Sequence, residues 1–357
     1  MHHCVLHYLR MKKEDPSMKR VTVQDIADAL GLSRNTVSKA INNSGCLAEA
    51  TREKILQKAV EMGYKQFSYI NRQSGFAAKE PRERGEIALL IGGEAPLPCF
   101  SSELKGEMKK AFLRRGYTLV PYQASRENVL QRTLPRAFDP AEVRGIVCVD
   151  LFDRAYDEMI CALGLPVLFV DGPSNRGGIS LPADQLYMES TAVVTRLVSE
   201  LLARGRRRIG FIGDYDRCQS QYERYAAFLC AMLMAGAPVE KRFCLKTDDP
   251  EEIGAALSAL SDQPEGWICA GDPAAVEAVR ALGRLGKGVP EALMVCGFGD
   301  APEARAMKPA LTTVHIHTGA MAASAVQLLL SRINEPDLDY RVVHTETELI
   351  HRDSAGN

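Results

Sequence analysis

The sequence predicts an α/β protein in which a small all-α head precedes a larger body of two lobes, each a doubly wound parallel sheet. Three observations support this fold class. The chain has 357 residues, more than one domain of ordinary size needs. Three short helical patterns follow one another between residues 18 and 64. From residue 86 to about 350, short apolar runs alternate with amphipathic segments, which is typical of parallel sheets covered by helices.

Composition excludes several classes of protein. Hydrophobic residues make up 46% and charged residues 25% of the chain, as in an ordinary globular protein. No apolar run is long enough to span a membrane, and the first residues lack the features of a signal peptide. The ten cysteines occur singly, without a CxxC pair, which indicates free thiols in a reducing compartment. We therefore expect a cytoplasmic protein, with residues 1–17 a disordered extension or a mis-called start.

The first helix of the head is predicted in VQDIADAL. Thr22 offers a side-chain cap and Asp25 stands three residues later, as in a capping box. Gly31 ends the helix. The predicted apolar stripe consists of Ile26, Ala29 and Leu30.

The second helix is predicted to begin after Ser33 as N-cap and to run to about Ile41. Its predicted buried face contains Val37, Ala40 and Ile41. Its opposite, polar face contains Arg34, Asn35, Ser38, Lys39 and Asn42. A third helix is predicted from about residue 50 to 62. Three short helices with a tight turn between the first two form the helix-turn-helix plan, whose second helix is short because it enters a DNA major groove.

Charge is divided unevenly along the chain. Residues 18–72 carry an excess of four positive charges, whereas the whole chain has a formal net charge of −1. A basic head on an acidic body fits a polyanionic partner at one end, although a solvated charged surface would give the same excess.

The head resembles the DNA-binding domain of the lactose and galactose repressor (LacI/GalR) family. The T-x-x-D-I-A start, the S-x-x-T-V-S-x-x-x-N core and the T-R-E-K-I helix occur together at the family's spacing. The resemblance places Arg34, Asn35 and Lys39 at base-reading positions, and these side chains can bond purine edges. It places other polar residues at phosphate-contacting positions, namely Thr22, Ser33, Thr36, Ser38 and Asn42. Double-stranded operator DNA is the implied partner.

The segment after the head departs from the family pattern. The family continues with a Pro-Asn pair and a hinge helix that inserts a Leu into the minor groove, whereas this chain reads KQFSYINRQSG. Either Tyr69 or Ile70 takes the place of the wedge, or the hinge does not insert. We expect an atypical hinge or linker over residues 65–85, which includes Pro81 and Gly85.

The body is predicted from alternating strand and helix patterns. The predicted strands lie at 86–92, 117–122, 145–150, 166–172, 206–213, 266–271 and 292–299. The predicted helices lie at 101–116, 127–138, 155–164, 220–236 and 273–286. The carboxyl ends of parallel strands should face a central cleft, where doubly wound sheets bind ligands.

The segment LTTVHIHTGAMAASAVQLLLSRIN resembles the crossover and final helix of the same family, whose body is similar to periplasmic sugar-binding proteins. The resemblance implies a small-molecule effector between the lobes and a homodimer. Matching motifs give the predicted effector-binding residues, which are Phe100, Arg224, Asp272 and Asp300. Asp184 matches an Asp that is more structural than ligand-binding.

Two family ligand positions carry glycine here, Gly271 and Gly299. Because a sugar needs acceptors for its hydroxyls and Arg224 remains, we expect a cleft that favours an anionic or less hydroxylated ligand over a neutral hexose, or one that senses no ligand.

Enzyme motifs are weak in this sequence. CGFGDAPEA has a GxG after a strand, but Pro302 stands where a dinucleotide site needs the third Gly. His315 and His317 share a strand face and could bind a metal, but polar cleft residues are the favoured interpretation. We expect no catalytic residues, cofactor or metal. The sequence predicts a DNA-binding transcriptional regulator, in function a repressor, and the alternative is an α/β sugar- or nucleotide-processing enzyme with a DNA-binding head.

Overall fold

The fold is described from a computed structural model of the chain, for residues 22–41, 48–62, 85–93, 99–175, 178 and 180–356. The predictions for Asn42, Tyr69 and Ile70, for the extension 1–17 and for most of the linker lie outside these residues and stay predictions. The described residues form two compact units, one up to residue 62 and one from residue 85 onward.

The head consists of three helices at the predicted places. They are α1 (Val23–Leu30), α2 (Arg34–Ile41) and α3 (Glu49–Glu61). The capping box on α1 is present, because Thr22 Oγ1 accepts from the Asp25 amide at 3.3 Å and Asp25 Oδ2 accepts from the Thr22 amide at 2.7 Å. Gly31 ends α1 with a φ of 64°, in the left-handed region that glycine tolerates best.

The head has its own hydrophobic core, drawn from all three helices. The buried residues are Ile26, Ala27, Val37, Ala40, Ile55 and Ala59. The prediction that Ala29 faces the core is wrong, because Ala29 is exposed and Ala27, three residues before Leu30, takes that place. The side chain of Ile41 is not among those described.

The body contains two parallel sheets and one short antiparallel ribbon. The six-stranded sheet has the order β11-β5-β4-β3-β1-β2, the four-stranded sheet has the order β7-β6-β8-β9, and β10 pairs with β12. The strands of the first sheet and the ribbon are β1 (Gly85–Ile91), β2 (Tyr117–Gln123), β3 (Val143–Val149), β4 (Val167–Val170), β5 (Asp184–Met188), β10 (Thr313–Ile316), β11 (Val342–Thr345) and β12 (Thr347–Ile350). The strands of the second sheet are β6 (Ile209–Ile212), β7 (Cys244–Leu245), β8 (Gly266–Cys269) and β9 (Met294–Cys296).

Helices cover both sheets. In the first lobe, α4 (Cys99–Leu113), α5 (Arg126–Gln131) and α6 (Arg154–Cys161) follow β1, β2 and β3. In the second lobe the helices are α7 (Thr191–Ala203), α8 (Gln219–Met234), α9 (Pro250–Ala259), α10 (Asp272–Arg284) and α11 (Pro302–Ala306). The long helix α12 (Thr318–Asn334) returns to the first lobe and packs against α4.

The chain passes between the lobes three times. It leaves the first lobe after β5, returns through β10 into α12, and leaves again from β11 into β12, after which Ser354 donates to the Val295 carbonyl of β9. This topology confirms the predicted two-lobed, doubly wound body and brings strand ends of both sheets to one cleft.

All seven predicted strands are present, but the alternating pattern did not predict everything. The helix predicted at 127–138 ends at Gln131, because Arg132 has a φ of 54° and Pro135 follows. Strands β5, β7, β11 and β12 and helices α7, α9 and α11 were not predicted.

Candidate functional site

Helix α2 presents polar side chains on a face opposite its packed side. Arg34, Asn35 and Lys39 are exposed, whereas Val37 and Ala40 are buried in the head. Two cationic groups and one amide therefore stand on one short helix. These groups can bond the O6 and N7 atoms of guanine and the N6 and N7 atoms of adenine.

Four of the predicted phosphate-contacting residues are described, and they lie at helix starts or beside the exposed face. Ser33 caps α2, since its Oγ accepts from the Thr36 amide at 3.1 Å and lies 2.8 Å from Thr36 Oγ1. Thr22 caps α1 and is exposed. Ser38 is half-buried on α2. Exposed helix starts with unpaired amides are suitable places for a phosphate.

In the body, a cleft of about 600 Å³ lies between the two sheets. The structure brings all four predicted effector residues, Phe100, Arg224, Asp272 and Asp300, to its lining. Phe298, Met188 and Ile316 add apolar surface. A concave site of this size with a few polar groups is what a small-molecule ligand needs.

Arg224 projects from α8 into this cleft and is 7% exposed. Its Nη1 donates to the Ala270 carbonyl at 2.6 Å, and its guanidinium lies 3.6 Å from the ring centroid of Phe298. Among the described residues, its Nε has no hydrogen-bond partner. Burial lowers the pKa of Arg224. The side chain is thus held in place on two sides, and its remaining N–H groups can donate to a ligand.

Asp272 lies in the cleft wall but uses its carboxylate within the protein. Its Oδ1 accepts from Thr313 Oγ1 at 2.5 Å and its Oδ2 accepts from the Ala301 amide at 2.6 Å. Burial raises the pKa of Asp272. These bonds connect the start of α10 to β10 and to the residue before α11. The Asp272 carboxylate therefore has a structural role.

The carboxylate of Asp300 also bonds groups within the protein. It accepts from Arg305 at 2.8 and 3.1 Å, from Arg352 at 2.6 Å, and lies 3.0 Å from His315 Nδ1. Burial works against its ionisation, but the hydrogen bonds from Arg305 and Arg352 outweigh burial and lower the pKa of Asp300. Asp272 and Asp300 both line the cleft, but their carboxylate oxygens already accept hydrogen bonds within the protein, and their role as effector-binding residues stays a prediction.

Two cleft carboxylates were missed by the sequence analysis. Asp150 directly follows β3 and Asp171 directly follows β4, and both line the cleft with a φ of 55°. Asp171 accepts from the amide and the hydroxyl of Ser220 at 3.0 and 2.6 Å. Burial raises the pKa of Asp150, and a hydrogen bond from the neighbouring Ser101 works in the opposite direction. The signal was present in GIVCVD and PVLFVDG, where an Asp ends each buried run.

These acids correct one expectation. The two glycines do line the cleft, and the φ of 135° at Gly299 disfavours any side chain there. The cleft is nevertheless not short of carboxylates, because Asp150 and Asp171 supply them from the opposite sheet. The expectation of an anionic ligand thereby loses one of its two arguments and keeps the other, the cation of Arg224, so the ligand class stays a prediction.

His315 and His317 lie side by side, with ring centroids 5.0 Å apart. His315 lines the cleft. The described residues contain no cluster of three or more His, Cys, Asp or Glu side chains placed to hold a metal ion. Among the helices that the structure describes, none combines the length and the apolar composition of a membrane span.

Comparison with known proteins agrees with both halves of the structure. Residues 22–66 match the model for bacterial regulatory proteins of the lacI family, and residues 198–355 match the model for a periplasmic binding protein-like domain.

The chain is similar over nearly its whole length to curated regulators. The repressor PurR of Vibrio vulnificus (strain CMCP6) is 26% identical over 340 residues, which cover 93% of this chain and 98% of PurR. The regulator GalR of Lacticaseibacillus casei is 29% identical over 349 residues, 94% of this chain and 99% of GalR.

Solved structures share the fold. The complex of the regulator CelR with cellobiose has a TM-score of 0.66 at 23% identity and covers 94% of this chain and 100% of CelR. The Lac repressor dimer bound to operator and the anti-inducer ONPF has a TM-score of 0.65 at 19% identity, covering 95% of this chain and 100% of that repressor chain.

Proposed function

We propose that this chain, a transcriptional regulator of the LacI family with a helix-turn-helix head and a periplasmic-binding-protein-like body, is a repressor that binds operator DNA through α2. The observation that carries this proposal is the exposure of Arg34, Asn35 and Lys39 on one side of α2 while its other side is buried. Its place of action is the cytoplasm, where operator DNA is accessible.

Within this proposal, the polar residues of the head have two tasks. Arg34, Asn35 and Lys39 read base edges in the major groove. The remaining positions bind phosphates and set the register of the head on the duplex, and they are Thr22, Ser33, Thr36, Ser38 and Asn42. The caps made by Thr22 and Ser33 are compatible with phosphate binding. They fix the N-termini of α1 and α2, and the backbone amides of a helix N-terminus can donate to a phosphate.

The binding experiment uses the full chain, its selected operator and variants of that operator at single base pairs. Arg34→Ala should weaken operator binding by about 1–3 kcal/mol and relax the preference at one base pair in each half-site. Thr36→Ala should weaken binding to all sequences alike. Lys54→Ala, which removes an exposed charge from α3, is the charge-matched control and should leave base preference unchanged. Equal loss on every sequence for Arg34→Ala would refute the base-reading role.

We further propose that the repressor is a homodimer, because one head alone buries too little DNA surface for strong specificity. In the same experiment, removal of one half-site should weaken binding by about 10²-fold or more, since the second head then has no site. For the hinge, the proposal is that either Tyr69 or Ile70 is the minor-groove wedge or the hinge does not insert.

The cleft is the proposed effector site. It joins strand ends of both lobes, so a ligand that contacts both walls changes the relative stability of open and closed bodies. CelR, which has the same fold, was solved with cellobiose, which supports a small-molecule effector here. The proposed ligand contacts are Arg224 and Phe100, as predicted from the sequence, together with Asp150 and Asp171.

A further inference from the structure

The second half of helix α8 is apolar on two opposite sides. The side that packs within the body consists of the buried residues Ala227, Phe228, Ala231 and Met232. The outward side consists of four exposed residues at the spacing of one helix face, Ala226, Cys230, Leu233 and Met234. We call this outward side the α8 ridge. Leu233 is 76% exposed and Met234 is 82% exposed.

Such a ridge is unusual on a surface helix. A helix that is apolar all round is normally buried on all sides, and adjacent large apolar side chains in water mark contact sites. The chain has no charged residue from Tyr225 to Val239. The charged residues that border this stretch, Arg224 and Glu240, already form hydrogen bonds within the body. The ridge therefore fits a partner surface that is apolar and uncharged, because a charge placed on it would lose water without gaining a counter-charge.

The position of the ridge in the body restricts the partner further. The first turn of α8 lines the cleft through Ser220, and Arg224 lines it one turn later. Met234 lies about 15 Å further along the helix axis, away from the cleft, since each residue adds about 1.5 Å. Strand β1 begins at Gly85, and its opposite, carboxyl end faces the cleft. Gly85 and Met234 therefore lie at opposite ends of the body, and a contact at the ridge covers neither the cleft nor the place where the chain enters the body.

The ridge is complementary to a second copy of itself. If two α8 helices pair antiparallel about a two-fold axis at Cys230, Ala226 of one copy lies opposite the partner's Met234, and the reverse pair forms at the same time. A small side chain opposite a large one lets the two helix surfaces interdigitate. The pairing removes Leu233 and Met234 of both copies from water and brings no like charges together.

We propose that the α8 ridge is a two-fold contact between copies of this chain and that it joins two operator-binding homodimers into an assembly of four chains. The contact within each homodimer has to be a different one, because it must bring together the ends of the bodies that the chain enters. The count of four rests on the homodimer of the proposed function, whereas the ridge contact itself does not.

Sedimentation velocity of the full chain at micromolar concentration tests the contact. Met234→Glu should halve the number of chains per particle, from four to two, because the pairing would bury a carboxylate against apolar side chains. Leu233→Glu should do the same. Both residues are so exposed that neither change should unfold the chain. Met234→Leu, which keeps the ridge apolar, is the matched control and should keep four chains.

A charge-pair rescue tests the antiparallel arrangement. Ala226→Lys together with Met234→Glu should restore four chains, because each introduced ammonium then meets the carboxylate of the partner copy. Ala226→Lys together with Met234→Lys should stay at two chains. Positions 226 and 234 of one chain are about 12 Å apart along the helix, so the rescue reports a contact between chains.

Crosslinking tests the two-fold axis. A short bis-maleimide should join two chains through Cys230, identified by mass spectrometry of the linked peptide, and Cys230→Ser should lose this link.

The proposal is overturned if Met234→Glu and Leu233→Glu leave the number of chains unchanged, or if the opposite-charge pair assembles no better than the double lysine. Operator binding on the same preparations separates this contact from the proposed function. The two-chain particles of Met234→Glu should keep sequence-specific binding. Single chains without operator binding would show that the ridge forms the homodimer itself and would overturn the assembly of four, whereas absence of specific binding in the parent chain refutes the proposed function instead.

Discussion

Asp157 is a buried acid that the proposed function does not use. It lies on α6 with no exposed surface, and both of its carboxyl oxygens lack a hydrogen-bond partner among the described residues. The neighbouring Tyr156 hydroxyl is unpartnered there as well. Burial, with a smaller contribution from Asp153, raises the pKa of Asp157 to about 8. The folded lobe therefore holds a proton that the unfolded chain releases near pH 4.

The sign of the resulting pH dependence follows from this difference. A carboxyl whose pKa is higher in the folded state stabilises the fold at low pH and loses that contribution as the pH rises towards 8. Asp157→Asn keeps the shape of the neutral acid but cannot ionise. We expect its free energy of unfolding to exceed that of the parent chain by an amount that grows between pH 5 and pH 8, by at most about 1.4 kcal/mol per pH unit.

Urea unfolding at a series of pH values measures this growth. Glu127→Gln, which neutralises an exposed acid on α5 of the same lobe, is the control and should show no such trend. A difference between Asp157→Asn and the parent that stays constant from pH 5 to pH 8 would contradict a raised pKa in the folded state.

At the residue scale, the sequence predicted cleft positions better than cleft roles. Arg224 and Phe100 were placed in the cleft by motif alone. Asp272 and Asp300 were also placed there, but the partners of their carboxylates lie 5 to 52 positions away in the chain, and the most distant are Thr313 and Arg352. A local motif does not show which distant donors bond a carboxylate. The motifs therefore gave no sign that Asp272 and Asp300 already accept hydrogen bonds within the protein.

Asp184 shows how a single acid holds an element in place. It lies fully buried in β5, where its carboxylate accepts from Arg332 of α12 at 3.1 and 3.2 Å. Arg341, just before β11, donates to it from its amide at 2.8 Å and from its side chain at 3.3 Å. Asp184 thus joins the returning strand β11 and the helix α12 to the sheet, which agrees with the structural role predicted from the sequence.

Asp184→Asn should strongly destabilise the body. The substitution leaves Arg332, which is 5% exposed, without its countercharge, and loss of one partner of a buried ion pair costs about 3–5 kcal/mol. Burial alone would raise the pKa of Asp184, but the hydrogen bonds from Arg332 and Arg341 outweigh it and lower that pKa. The stabilising contribution is therefore present above pH 4 and is lost as the pH falls through the lowered pKa.

Chemical denaturation at pH 7 and at pH 3 checks both statements. The exposed Asp337, in the loop between α12 and β11, provides the control variant Asp337→Asn, which should change stability by less than about 0.5 kcal/mol. If Asp184→Asn is as stable as Asp337→Asn at pH 7, the ion pairs do not hold β11 in the sheet.

At the element scale, the long apolar runs were predictable because buried parallel strands have few polar residues. β5 was missed for the opposite reason, since DQLYM contains Asp184 and Gln185, and both are buried through partners that only the fold supplies. The helix α5 was predicted too long because its apolar pattern continues past Arg132, where the backbone turns into the left-handed region.

On the scale of the whole body, the two lobes meet along one side of the cleft through α8. The Gln219 amide donates to the Gly172 carbonyl at 3.0 Å, and Ser220 donates to Asp171. One turn further, Glu223 lies 3.2 and 3.3 Å from His344 Nε2 of β11. The helix of one lobe is thus attached to the loop after β4 and to the edge strand of the other lobe.

The His344–Glu223 contact is the side-chain contact of this set that reaches β11. The Tyr187 ring lies 5.4 Å from the His344 ring, and Gln219 Nε2 donates to Glu223 at 3.0 Å, so neighbouring groups hold both side chains in place. Loss of the imidazole should therefore weaken the attachment between the lobes. Both side chains are partly exposed, which limits the pair to about 0.2–1 kcal/mol.

Hydrogen exchange of the segments 219–223 and 342–346 measures the attachment directly. In His344→Ala, opening of these segments should become more frequent than in the parent chain at the same pH, by up to about fivefold. His351→Ala is the matched control, since His351 lies 3.6 Å from Glu200 on α7, in the same lobe as the end of the chain that follows β12. It should leave the exchange of both segments unchanged. An equal increase in both variants would show that the effect is not specific to the contact between the lobes, and the cleft would then close without help from this pair.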